Sequence, residues 1–285
     1  MAAYVAARDY NRAASDVLFH YERCPRCGLV SLANVPVDLP RYYAAGYHAL
    51  PRSAADLELG AAHERYKIDL LSPYASGGQL LEIGPSWGAF CLAAKRAGFS
   101  VEAIEMDERC CTFLREQLGI RAIQAADPAV ALEQATPPDV IALWHVFEHL
   151  RDPWMLMAAA AKALRPGGVL VIATPNPLAF QFALFGRHWA HLDAPRHVHL
   201  VPAAALAARA RDYGLELALS TTTDPGSLGW NAFGWRFSLA NHVASPLAKR
   251  ALRFAGRFAA VLFALIEGLE GRGSAYTAVF RKAGV

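Results

Sequence analysis

The stretch LLEIGPSWGAF, residues 80–90, runs from an apolar segment straight into Gly84, Pro85, Ser86 and Gly88, with the carboxylate of Glu82 two positions before the first glycine. Glycine at 84 permits a tight turn, and small residues at 86 and 88 let a ligand lie against the backbone where a strand gives way to a helix. The spacing is G-x-S-x-G, and Ala89 stands where a dinucleotide loop would carry its last glycine. A carboxylate beside the turn repels a pyrophosphate but suits a cationic ligand or an ammonium group. About twenty residues on, Glu105 stands where an acidic side chain grips ribose hydroxyls.

A second group of reactive types follows. WHVFEHL places His145, Glu148 and His149 at i, i+3 and i+4, a spacing that could hold a divalent ion. These residues are read here as lining a pocket and orienting a loop, and no metal is assigned. GRHWAHLDAPRHVHL, 186–200, gathers four histidines with Asp193 and Arg196. A histidine there titrates near neutrality and can take a proton from an acceptor. His197 is the first choice as general base, oriented by Asp193 or Arg196, with His149 and His191 next. The competing reading has these side chains hydrogen-bond the loop to itself. CPRCG, 24–28, has zinc-knuckle spacing but lacks a second C-x-x-C, so zinc at Cys24 and Cys27 stays doubtful.

The elements that must position these groups alternate. GQLLEI (78–83), SVEAIE (100–105), IRAIQ (120–124), DVIALW (139–144) and GVLVIAT (168–174) read as short buried strands with helical stretches between them. That alternation predicts right-handed crossovers and a parallel sheet. A helix over 202–214 and strands over 214–221 and 274–282 complete the pattern. Residues 1–60 read as an irregular segment, 61–285 as one domain, and about 224–272 as a helical insertion before the last strand. In that insertion Arg250, Arg253 and Arg257 share one helical face, and Leu247, Phe254, Phe258, Leu262, Leu265 and Leu269 another. Covering the substrate pocket is its expected role; membrane-surface contact through 247–269 is the alternative.

Bulk properties narrow the class. The 285 residues carry 54% hydrophobic and 19% charged residues, the balance of a globular protein. A net charge of +3 gives no strong pull towards nucleic acid. The first residues, MAAYVAARDYNRAASD, lack the apolar core of a signal peptide, and no apolar run is long enough to span a bilayer. Five cysteines without extracellular spacing fit a reducing compartment. A cytoplasmic location is therefore expected.

A ribose, a positive charge and no phosphate describe S-adenosylmethionine. Together LEIGPSWGAF, VEAIEMD, DVIALWHVFEHLRDP, ALRPGGVLVIATPNP and DAPRHVHL resemble the class I S-adenosylmethionine-dependent methyltransferases, over most of 78–282 and in that family's order. The resemblance implies an α/β, Rossmann-like, doubly wound seven-stranded sheet with its last strand antiparallel. It implies that Glu82, Gly84, Ser86 and Gly88 line the methionine and ribose portions and that Glu105 binds the ribose diol. Met106 would pack on the adenine, Asp127 would contact its amine, and Trp144 and His145 would lie beside the sulfonium. Some relatives resemble the H-x-x-E-H stretch with E-x-x-E-H and use a metal to orient hydroxyls. The acceptor implied is a small molecule from a sugar, polysaccharide or secondary-metabolite pathway. A nucleic-acid methyltransferase and a non-catalytic cofactor-binding module are the alternatives, the former disfavoured by LWHV where base-directed enzymes carry an N/D-P-P-Y/F signature.

Overall fold

The computed structural model describes residues 1–43 and 50–284. Its strands are β1 (Ala2–Ala7), β2 (Phe19–Arg23), β3 (Val30–Leu32), β4 (Gly78–Ile83), β5 (Phe99–Glu105), β6 (Arg121–Gln124), β7 (Val140–Trp144), β8 (Val169–Pro175), β9 (His199–Leu200), β10 (Leu215–Thr221) and β11 (Ala275–Lys282). Seven of them form one sheet in the order β10-β11-β8-β7-β4-β5-β6. From β6 to β8 the neighbours are parallel, and β11 runs antiparallel to both β8 and β10. β7 and β8 are buried at every position, as central strands covered on both faces must be. Leu81, Ile83, Ile141 and Leu143 pack towards one helical layer, while Leu80, Val140 and Ala142 pack towards the other. The strand order reverses beside β4, so the carboxyl ends of β4, β5 and β7 open onto a crevice at the switch point. Helices Pro225–Ala240, Pro246–Leu262 and Ala264–Glu267 fill the stretch between β10 and β11.

The N-terminal segment differs from the irregular stretch expected over 1–60. β1, β2 and β3 pair antiparallel, and β9, from the connection after β8, joins them in a four-stranded sheet. The signal lay in the alternation of FHYER, where Phe19 and Tyr21 are buried and His20 is exposed. Strands this short, separated by turn residues, did not stand out from loop. The expected boundary at 60/61 falls inside the helix Ala54–His63, and residues 44–49 of the segment lie outside the described residues.

This small sheet is fastened to the large domain by charge as well as by apolar packing. Tyr21, Leu32 and Tyr42 pack with Phe182, Trp189, Leu192 and Val198 from the connection after β8. Beside them the Arg196 guanidinium, fully buried, is bidentate to Asp9 at 3.1 and 2.6 Å and to Asp193 at 2.8 and 2.8 Å. Asp9 also accepts the backbone N–H groups of Arg12 and Ala14, and Asp193 accepts the Asn11 side-chain amide. Removing the cation would leave two buried carboxylates facing each other. Arg196→Met is therefore expected to lower the unfolding free energy by about 3–5 kcal/mol, read from urea denaturation. A change within about 0.5 kcal/mol, as for a surface substitution, would mean that the triad is not what joins the two parts.

Candidate active site

Three of the five residues of the 84–88 turn hold a left-handed backbone: Gly84 at φ 69°, Ser86 at 55° and Gly88 at 86°. The two glycines serve the protein's own packing. A Cβ on Gly84 would lie 2.6 Å from Val146 Cγ2, and one on Gly88 would lie 2.4 Å from Leu114 Cδ2. Ser86 carries a side chain in a region that costs an L-residue about 1–2 kcal/mol. Its N–H donates to Glu105 Oε2 at 2.9 Å, which holds the turn. Strain kept in place by a dedicated partner is the mark of a site that must present its backbone to something. The turn thus fits the cofactor that the sequence implies, by strain at Ser86 rather than by open space at Gly88.

The two acids differ in what they have left to give. Glu105 Oε1 accepts the N–H groups of Met106 and Asp107 at 2.8 and 2.9 Å. With Ser86, that makes three donors on a carboxylate offering about four lone-pair sites, so room remains for one further strong bond. Glu82 is buried and, among the described residues, accepts only the Cys91 thiol, at 2.9 Å. Burial pushes its carboxyl up to about 7, and Lys67 and the thiol hydrogen bond pull it back. Lys67 lies 4.5 Å from the centre of the Trp144 ring and pairs with Glu64. Trp144 Nε1 is buried with no partner. A carboxylate buried this way, beside an ammonium and a ring face, is built to meet positive charge. Met106 is exposed, and Asp127, also exposed, caps the helix Pro128–Ala131 by accepting Ala129 N–H at 2.9 Å.

At the end of β7 the chain turns through His145, at φ 58°, and delivers Glu148 into the interior. Glu148 Oε2 accepts the Thr174 hydroxyl at 3.0 Å, and its carbonyl accepts Val198 N–H at 2.7 Å. Among the described residues Oε1 has no hydrogen-bond partner. His145 Nδ1 lies 3.4 Å from it and His197 Nε2 4.0 Å, both beyond a well-formed bond. Burial pushes the Glu148 carboxyl up, but His145, His149 and His197 outweigh it and hold it at about 2. His149 Nδ1 lies 3.0 Å from the Arg196 carbonyl and 3.0 Å from the Tyr43 hydroxyl. His197 Nδ1 lies 2.8 Å from the His191 carbonyl. A carbonyl only accepts, so both Nδ1 atoms carry the proton, and in the neutral ring each Nε2 keeps a lone pair. Burial and the neighbouring His197 lower His149 to about 4, leaving it neutral at pH 7.

One carboxylate oxygen and two imidazole nitrogens, from Glu148, His149 and His197, thus come within 4.8 Å of one another. Ligating histidines are commonly fixed through their other nitrogen by a carbonyl, as both are here. The orphaned Oε1 and the two lone pairs fit a divalent ion, and the mixed N/O donor set favours manganese, iron or zinc over magnesium. The sequence reading assigned no metal because His145 stands where metal-using relatives carry the first glutamate, and only two of these three groups lie in that stretch. The third, His197, arrives from 48 residues away in the chain. Its expected orienting partners act otherwise: Arg196 holds Asp9 and Asp193, and the His191 carbonyl holds the imidazole. His191 itself is buried, lowered to about 3 by that burial, and bonded to the Trp230 carbonyl at 2.9 Å.

Lys67, Tyr43, Thr174 and Trp230 were not found by sequence reasoning. Trp230, on Pro225–Ala240, lies against His145 with ring centres 4.6 Å apart. No spacing rule connects it to β7. Cys24 and Cys27 form a turn closed by Gly28 N–H to the Cys24 carbonyl, and among the described residues no third metal-ligating side chain joins them.

Glu82 allows a test with an unusual sign. Its folded pKa, about 7, exceeds the ordinary 4.5, so the folded state binds more protons and stability falls as pH rises from 4.5 to 7. Glu82→Gln removes that loss and is expected to raise the unfolding free energy at pH 8 by up to about 3 kcal/mol, while weakening S-adenosylmethionine binding in calorimetry. A variant less stable than the parent at pH 8 would show that the carboxylate serves the fold.

Comparison with known proteins identifies the family and the fold. Residues 59–220 match a family described as a methyltransferase domain. A ubiquinone biosynthesis O-methyltransferase from Bordetella avium (strain 197N) is 30% identical over 160 residues, 52% of this chain and 66% of that protein. Another from Xylella fastidiosa (strain M23) is 33% identical over 165 residues, 53% of this chain and 67% of that one. The chain thus spans just under two thirds of the Bordetella protein's length. A SAM dependent methyltransferase from Archaeoglobus fulgidus shares the fold at a TM-score of 0.50 and 17% identity, over 79% of this chain and 94% of that one. The matched region contains the strained turn, both acids and the Glu148–His149–His197 cluster, and the chain belongs to the methyltransferase-domain family, with the fold of the class I S-adenosylmethionine-dependent enzymes.

Proposed function

We propose that the chain transfers the methyl group of S-adenosylmethionine to a hydroxyl of a small molecule, with the acceptor oxygen received by Glu148, His149 and His197. The observation that carries this reading is the orphaned Glu148 Oε1 flanked by two imidazole lone pairs. Oxygen is favoured as the acceptor atom because the curated relatives named above are called O-methyltransferases. In the transfer the methyl–sulfur bond breaks as the methyl–oxygen bond forms, and the hydroxyl proton must leave. The chain's part is alignment, exclusion of water and control of that proton. Glu82 and the Ser86 turn would hold the donor; Trp144 and His145, at the end of β7, would face its sulfonium.

Glu148, His149 and His197 would together hold a divalent ion, which when bound would polarise the acceptor hydroxyl and lower its pKa. Thr174 and the backbone carbonyls of His191 and Arg196 fix the three side chains from behind. A second reading leaves the cluster without an ion. His197, its Nδ1 proton held by the His191 carbonyl, then takes the proton on Nε2.

One experiment separates the two. Methyl transfer to catechol-type and sugar hydroxyl acceptors is measured after EDTA treatment, then after adding manganese, zinc or magnesium. Loss with EDTA and recovery with manganese or zinc is expected, together with a fall of at least about 10²-fold in Glu148→Gln at unchanged S-adenosylmethionine affinity. Indifference to EDTA, with a rate limb near neutral pH that disappears in His197→Ala, would replace the ion by the histidine. Full activity in both variants would remove the cluster from the reaction.

A further inference from the structure

The insertion between β10 and β11 leaves one helix whose apolar side faces away from the protein. In Pro246–Leu262 only Gly256 is buried. A Cβ there would lie 2.6 Å from Arg236 Cα, so the helix rests backbone to backbone on Pro225–Ala240 along that side. Opposite Gly256 stand Leu247, Phe254, Phe258, Val261 and Leu262, continued by Leu265, and they are 58–87% exposed. Their spacing repeats at three and four residues, the period of one helical face. A contiguous apolar face of this size on the surface marks an interaction site.

Its charge selects the partner. Lys249, Arg250, Arg253 and Arg257 give the helix four positive charges, and no acidic residue lies between 246 and 262. The three arginines run along one flank of the apolar stripe, all exposed. The next acid, Glu267, is buried and bonded to Gln181 and Trp235, so it cannot offset them. A second copy packed antiparallel on the same stripe would set this arginine flank against its twin, with no carboxylate between. An anionic lipid surface supplies both an apolar layer for the stripe and negative charge for the flank. No helix of the described residues is long and apolar enough to cross a membrane, so the contact is with the surface.

We propose that the Pro246–Leu262 helix docks the protein on an anionic membrane surface, with Phe254 and Phe258 buried in the interfacial layer and Arg250, Arg253 and Arg257 against lipid headgroups. The proposal does not rest on the acceptor assigned above. The same helix packs on the element that presents Trp230 to His145, which joins the docking face to the site wall.

Co-sedimentation of the full chain with vesicles tests it. Vesicles of phosphatidylcholine doped with phosphatidylglycerol are expected to bind it at least about tenfold more tightly than phosphatidylcholine alone. That preference should shrink at high salt. Phe254→Ser with Phe258→Ser should abolish binding to both kinds of vesicle. Arg250→Gln, Arg253→Gln and Arg257→Gln together should abolish only the preference. All five side chains are exposed, so circular dichroism and the Tm should match the parent. Equal affinity for neutral and anionic vesicles would overturn the proposal, as would absence of binding. A lipid-free dimer that dissociates in the double phenylalanine variant would assign the stripe to a second copy instead.

Discussion

A guanidinium shielded from water holds the catalytic half of this molecule to its N-terminal sheet. Arg196 follows the β8 connection into a pocket where Asp9 comes from the turn after β1 and Asp193 from three residues upstream. Burial pushes the Asp193 carboxyl up, and its bonds to Arg196 reverse this and hold it well below the usual carboxylate range. Such a triad adds little net stability over an apolar contact of the same size, because three groups have lost their water. What it supplies is uniqueness. Two forks of near-ideal geometry fix the connection in one register, and an apolar patch would tolerate sliding.

The cluster at Glu148 depends on that register. Val198 N–H reaches the Glu148 carbonyl, and the Arg196 carbonyl holds His149 Nδ1. Tyr21 donates to the His197 carbonyl and Tyr43 lies against His149, so the N-terminal segment adds its own hydroxyls behind the histidines. One residue of slippage would turn His197 away from Glu148 while leaving most apolar contacts available. The small sheet is therefore part of the site's positioning apparatus. The sequence offered no hint of this, because Asp9 and Arg196 are 187 residues apart and Asp9 lies in no motif.

The large sheet was legible for a physical reason. Each of its parallel strands is short, apolar on both faces and closed by turn residues, and β7 and β8 are apolar from end to end. Its order and the reversed last strand came from resemblance, and the pairing agrees. The tight turn at 84–88 was legible too, though its glycines answer to Val146 and Leu114 rather than to open space. The H-x-x-E-H stretch could be seen, but its third partner could not, since proximity of His197 to Glu148 is made by tertiary pairing of β9 with β3. Lys67 was invisible for a similar reason: a lysine on an N-terminal helix becomes a buried charge only once Trp144 lies beneath it.

The cluster and the Glu82 pocket obey opposite electrostatics in one crevice. At Glu82, burial wins over its partners and the carboxyl sits near 7, ready to gain or lose a proton. At Glu148, the imidazoles win over burial and the charge is kept at any pH near neutral. Yet His149 is itself neutral near pH 7, so that ring offers the cluster a lone pair rather than a charge. A lone pair and an unpartnered carboxylate oxygen cannot satisfy one another. Only something that brings positive charge or a proton can complete them. Methyl transfer extinguishes a positive charge on sulfur and releases a proton from the acceptor. A fixed negative charge with proton-accepting or ion-accepting neighbours suits the second of these changes, the departure of the acceptor's proton.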